Sequence, residues 1–227
     1  MSNIIKLRKE APAYRVLARG DVGTMYLYGQ IGESFFSEGI TAKQVADDLK
    51  KLGKLSTLNV RINSEGGDVF QGKTIFTLLK DQSARVVAHI DGLAASSASL
   101  VAMAANEIKI AEGSFLMIHN AWSMSVGNAE EMRRTADLLD QVDQTIVSTY
   151  AQRTGNSPQA VSDWMAAETW FNASDAKKHG FADFVVENLK VAALISDPSR
   201  FKHLPCGLKP RRESVRAYLA SIQPGRD

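Results

Sequence analysis

Short apolar runs alternate with segments of helical period from Thr24 to Asn188, and this alternation limits the fold more than any other feature. "TMYLYGQIG" reads as a strand that ends in glycine. Residues 41–52, "TAKQVADDLKKL", read as a helix capped by Thr41, with Val45 and Leu49 on one face. "LNVRINS" is a strand, "GGDVF" a turn, "GKTIFTLLKD" a helix and "ARVVAHI" a further strand. "SSASLVAMAAN" has helix composition, and "EIKIA" and "FLMIHN" are two short strands. A long helix is predicted from about Ala129 to Arg153. Asn128 and Glu131 form a capping box at its start and Gly155 suits its end. Met132, Ala136, Leu139, Val142, Ile146 and Tyr150 make an apolar stripe along it. Ser157-Pro158 opens another helix. "NASDAKKHG" is a short helix between Asn172 and Gly180, and "FADFVVEN" is a last strand. Strands alternating with helices predict an α/β domain with a largely parallel sheet.

The ends differ from this middle. Residues 1–21 read as a loose arm, 22–190 as the folded domain and 191–227 as a basic, flexible tail. Residues 197–227 carry seven Arg or Lys against three Asp or Glu, a net of +4, so with +2 for the whole chain the other 196 residues carry −2. A solvated tail is the preferred reading over a nucleic-acid-binding one, and "RRESVRAYLAS" reads as a short helix within it. At 227 residues the chain can bury one sizeable core. The single Cys206 forbids an intrachain disulfide, which suits a reducing compartment. There is no apolar run of membrane-spanning length, and "MSNIIKLRKEAPAY" lacks the pattern of a signal peptide. The expected location is the cytoplasm, with no membrane partner.

Chemistry concentrates in "DGLAASSASLVAMAAN", where Ser96, Ser97 and Ser99 head an apolar run. A serine at a helix start is ordinarily a cap. Here Gly92, Ala94 and Ala95 allow a tight approach, and the helix that follows offers unpaired N–H groups to a developing negative charge. "INSEGG", from Ile62 to Gly67, adds two glycines that let a backbone N–H come close to a substrate. The pattern is not G-x-S-x-G. Of the four histidines, His203 lies in the tail, His179 in the last turn of a short helix and His89 inside a strand. His119 follows "FLMI" at a strand end, where α/β folds place their sites.

"INSEGGDVFQG", "GLAASSASLVAMAAN", "FLMIHN" and "ETWFNASDAKKHGFAD", in this order, resemble the Clp peptidase family over about residues 22–187. The phrases "YLYGQIG", "DGLAAS", "MIHNAW" and "ETWF" are similar to the branch of tailed phages and prophages that serves in head maturation. The resemblance implies a ClpP/crotonase-like α/β fold of repeated β-β-α units with a protruding long helix. It implies Ser96 as nucleophile, His119 as base, and the N–H groups of Gly67 and Ser97 as oxyanion hole, with Ser99 left to packing. An ungapped match puts Glu168 at the family's acid, usually an aspartate; Asp163 and Asp175 are the alternatives. Glu65 stands where the family commonly has proline, and it is expected to face solvent or a substrate amine.

The implied activity is serine endopeptidase chemistry without metal or cofactor. Implied partners are protein or peptide substrates, capsid or scaffold proteins among them, and copies of the chain in a heptameric or double-heptameric ring. The stripe at Leu139, Val142 and Ile146 would pair rings. The alternatives are a housekeeping proteolytic subunit that works with an AAA+ unfoldase and an inactive ring-forming assembly protein. For a phage-encoded chain the location is the host cytoplasm.

Overall fold

The computed structural model describes residues 14–33, 39–187, 195, 198–205 and 208. In chain order its elements are β1 (Tyr14–Arg19), β2 (Val22–Leu27), α1 (Ala42–Leu52), β3 (Thr57–Ser64), α2 (Val69–Lys80), β4 (Arg85–Ala95) and α3 (Ser97–Ala102). Then follow β5 (Glu107–Ala111), β6 (Phe115–Ile118), α4 (Ala129–Thr154), α5 (Pro158–Ala166), β7 (Thr169–Asn172), α6 (Ala173–Lys178) and β8 (Phe184–Val186). The strand order is β1-β2-β3-β4-β5-β8, and every neighbouring pair from β2 to β8 is parallel. The fold is the expected α/β class with a mostly parallel sheet.

β4 organises the sheet. It is apolar and buried along nearly all its length, as a central parallel strand covered on both faces must be. Its first half, Val87–Ile90, pairs with β5, and its end, Leu93–Ala95, pairs with β6. β6 then turns away and pairs antiparallel with β7. The strand therefore runs on through "DGLAA", beyond the Ile90 limit read from sequence. Small residues there lie buried between neighbours. β7 likewise stands where the sequence reading left a connecting segment.

Helix ends follow their local chemistry. Thr41 and Gln44 make a reciprocal capping box on α1, and Asn128 and Glu131 make one on α4. Gly155 ends α4 in the left-handed conformation at φ 75°. α2 begins at Val69, capped by the Asp68 carboxylate, and so takes up residues expected to form a turn. The apolar stripe of α4 divides. Ile146 and Tyr150 are buried in the core, whereas Met132 is exposed, as is Leu138 beside the stripe.

Two boundary readings need correction. Residues 14–19 are not a loose arm, because β1 forms a hairpin with β2 across Gly20 and Asp21. Tyr14 and Val16 pack against the core, and the Arg15 guanidinium lies 4.0 Å from the centre of the Tyr26 ring. Nor is the whole tail free. Phe201 and Leu204 are buried beside Leu93, Ala95 and Met117, and Phe201 meets Trp170 edge-on at 5.2 Å. Residues 1–13 of the arm and the expected helix at "RRESVRAYLAS" lie outside the described residues.

Candidate active site

Ser96 stands between the end of β4 and the start of α3, with φ 54° and ψ −130°. It occupies a cap position but makes no side-chain cap bond. Its hydroxyl meets His119 instead, with Oγ 2.8 Å from Nε2. Register explains the meeting. Leu93, Ala94 and Ala95 lie beside Phe115, Leu116 and Met117 in parallel, and the Ser96 N–H donates to the Met117 carbonyl at 3.0 Å. Two steps on, β6 delivers His119 to the same end of the sheet. Among the described residues other than glycine, positive φ occurs only at Ser96 and at Glu168, where φ is 49°. Backbone strain of this kind persists only where the surroundings over-determine it.

The paired glycines form the opposite wall. A Cβ on Gly66 would lie 2.6 Å from the Ala95 carbonyl oxygen and 2.7 Å from the Ser96 Cβ, and one on Gly67 would lie 2.0 Å from the Ile31 carbonyl oxygen. Both glycines also have positive φ, so side chains are excluded by space and by conformation. The Ser64 hydroxyl braces the loop: it donates to the Gly29 carbonyl at 2.5 Å and accepts from the Gly66 N–H at 3.1 Å. Among the described residues no hydrogen bond uses the N–H of Gly67 or of Ser97. Both residues line one cleft with Ser96 and His119, of about 300 Å³, whose walls include Val69, Leu100, Leu139 and Val142.

Ser99 is more than packing. Its hydroxyl lies 2.6 Å from the Ser96 carbonyl, 2.9 Å from the Met117 carbonyl and 2.8 Å from the Tyr150 hydroxyl. Its single proton serves one carbonyl at a time, while the Tyr150 O–H donates to it. The Ser97 hydroxyl, by contrast, is buried with no hydrogen-bond partner among the described residues.

Glu168 lies opposite His119, one step beyond the antiparallel pair Ile118–Thr169. It is 6% exposed and borders a second cleft with His119, Arg200 and Lys202. Among the described residues no hydrogen bond joins it to the imidazole. Its oxygens accept instead from the main-chain N–H of Lys202 at 2.9 Å, that of His203 at 2.7 Å and the Trp170 indole at 3.3 Å. Burial works to raise the Glu168 carboxyl, but the His203, Lys202 and Trp170 donors and the charge of His119 together hold it below the usual value. His119 is held below the ordinary imidazole value mainly by burial. The Glu168 charge pulls it up, and Arg200 and Lys202 push it down.

The remaining sequence candidates separate. Asp163 is on the exposed side of α5, bonded to Gln159, and Asp175 is tied to the Asn172 cap of α6. His89 bonds Asn59 at 3.0 Å, and burial with the charges of Arg61 and Lys109 pushes it down to about 4. His179 packs on Trp164 at 4.8 Å. Glu65 departs from expectation. It is 5% exposed rather than solvent-facing, and it pairs with Arg200 at 3.6 Å. Sequence reasoning missed Ser64, Tyr150 and Arg200. Ser99 carried a usable signal, because it sits one helical turn after Ser96. Ser64 lies within "INSEGG", two residues before Gly66, whereas Tyr150 and Arg200 come from distant positions.

The arrangement defines an α/β protein with a serine–histidine pair and a glycine-lined N–H wall, chemically suited to acyl transfer. The Clp protease family matches residues 14–189, and the chain belongs to that family. It is 30% identical over 162 residues to the ATP-dependent Clp protease proteolytic subunit 1 of Chlamydia abortus, covering 67% of this chain and 84% of that one. It is 36% identical over 131 residues to the ATP-dependent Clp protease proteolytic subunit of Dioscorea elephantipes, covering 56% of this chain and 64% of the relative. Among solved structures, a ClpP1 mutant from Listeria monocytogenes superposes with a TM-score of 0.61 at 24% identity, covering 71% of this chain and 90% of that one, a likeness of fold. No helix among the described residues is long and apolar enough to cross a membrane.

Proposed function

We propose that this protein is a serine endopeptidase with Ser96 as nucleophile and His119 as general base. The 2.8 Å approach of His119 Nε2 to Ser96 Oγ carries the reading. His119 takes the hydroxyl proton as Oγ attacks a peptide carbonyl. The N–H groups of Gly67 and Ser97 receive the oxyanion, and the imidazolium gives its proton to the leaving amine. Water then enters by the reverse sequence and releases the acyl group. Glu168 supports the imidazolium through its charge. The apolar walls beside Ser96 suit an apolar side chain next to the scissile bond. A fluorophosphonate probe tests the reading: it should label Ser96 and no other residue, and labelling should vanish in His119→Ala. Labelling elsewhere, or unchanged labelling in that variant, would refute it.

The family supports a ring of identical subunits. Of the stripe expected to pair rings, Ile146 is buried in the core and Leu139 and Val142 line the Ser96 cleft, so the apolar surface that α4 offers is at the exposed Met132 and Leu138. For the biological setting, the phrases "YLYGQIG", "DGLAAS", "MIHNAW" and "ETWF" support head maturation, with capsid or scaffold proteins as substrates. The relatives named as subunits of ATP-dependent Clp proteases favour the other setting, with an AAA+ unfoldase. Cleavage of a folded protein only with an unfoldase and ATP would select the second. Cleavage of capsid or scaffold protein without either would select the first.

A further inference from the structure

We propose that the segment Arg200–Leu204 is a positioning element of the active site, holding the Glu168 carboxylate in place for His119. The inference rests on the peptidase reading above and adds to it a part that the family match, which ends at residue 189, does not contain.

A buried carboxylate has room for about four hydrogen-bond donors and needs them if it is to stay charged. Three places on Glu168 are filled. Oε1 accepts from the His203 N–H and the Trp170 indole, and Oε2 accepts from the Lys202 N–H. Among the described residues nothing else bonds Oε2, and His119 stands across the strand pair on the rim of the same cleft. Catalytic hydrogen bonds are often open in a free enzyme and close in the substrate complex. Two of the three donors are main-chain groups of the tail, so the tail holds the carboxylate ionised and limits where it can turn.

The tail is fastened to β4, β6 and β7, the strands that lead to Ser96, His119 and Glu168. Phe201 and Leu204 are buried against Leu93 and Ala95 of β4 and Met117 of β6. Phe201 also meets Trp170 of β7. Arg200 pairs with Glu65, next to the paired glycines, and His203 Nδ1 lies 2.9 Å from the Ala167 carbonyl, one residue before Glu168. The left-handed backbone of Glu168 requires such bracing. The positive charges of Arg200 and Lys202 oppose an imidazolium at His119, each by less than Glu168 favours it.

The test uses the full chain in two forms. Phe201→Ala with Leu204→Ala loosens the anchors, and His203→Pro removes the N–H that reaches Oε1. Each is also placed in a Glu168→Gln background, and a thermal melt confirms that each is folded. Both forms should lower kcat roughly 10- to 100-fold, as loss of orienting partners does, with KM changed less than about threefold. In the Glu168→Gln background the same changes should cost less than about threefold, because groups that act as a unit are non-additive. A scaffold role alone would give equal losses in both backgrounds. Equal losses, or an unchanged or raised kcat in folded variants, would overturn the proposal. Wild-type turnover in Ser96→Ala would instead overturn the peptidase reading.

Discussion

The hydroxyl of Ser99 lies 2.8 Å from the hydroxyl of Tyr150, and this contact ties α4 to the backbone of Ser96. Tyr150 is 2% exposed and Ser99 fully buried, so neither hydroxyl has water as a substitute. Tyr150→Phe keeps the ring packing against Phe181 and removes only the hydroxyl. It should destabilise the fold by about 1–3 kcal/mol, the usual cost of leaving a buried polar partner short. Ser99→Ala should cost a similar amount and also lower turnover, since it releases the Ser96 carbonyl. Chemical denaturation and peptidase assays check both.

Ser97→Ala should behave in the opposite way. The Ser97 hydroxyl is buried and unpartnered among the described residues, while the proposed catalytic contribution of the residue is its main-chain N–H. Removing the hydroxyl should leave stability unchanged or raise it by about 1 kcal/mol. A clear drop in melting temperature would show that the hydroxyl is partnered in solution.

Part of this site was legible in sequence, because local spacing marked its segments and the family resemblance gave their residues roles. The glycine pair, the serine cluster and the histidine after "FLMI" each lie at the end of a recognisable apolar run. Parallel register then brings the three ends together. The partners of Glu168 were not legible. They are main-chain groups 34 and 35 residues further on, in a basic segment whose composition reads as solvated. Its few apolar residues, Phe201, Leu204 and Leu208 among them, are what pack. β1 escaped for a related reason: charged Arg15 and Arg19 break up the apolar signal of an edge strand, and four of its six residues are exposed.

The glycine loop should tolerate no side chain. Gly66→Ala places a methyl against the Ala95 carbonyl and Ser96 itself, and Gly67→Ala places one on the Ile31 carbonyl. Turnover should fall by about 10²-fold or more in either variant, in line with loss of an oxyanion donor. Steady-state kinetics on folded protein provides the check, and activity near wild type would remove this loop from the site.

The pH profile should report His119. The imidazole must be neutral to accept the Ser96 proton. Its folded pKa lies below the ordinary 6.5, so the neutral form persists below that pH and the acid limb of kcat/KM should fall there. Burial lowers the value most; Glu168 raises it, and Arg200 and Lys202 lower it further. Glu168→Gln removes the upward pull. The limb should then move to still lower pH while plateau turnover drops roughly 10²- to 10⁴-fold. A limb that moves upward would contradict the placement of Glu168 beside His119.

The central claim, that Ser96 and not its neighbour attacks the substrate, is tested most directly by peptidase turnover of Ser96→Ala against Ser97→Ala at full length. Ser96→Ala should lose roughly 10⁴-fold or more, as other triad nucleophiles do. Ser97→Ala keeps its N–H and should lose less than about 10-fold, since the oxyanion donor remains. Comparable losses in the two variants, or measurable wild-type turnover in Ser96→Ala, would contradict the assignment.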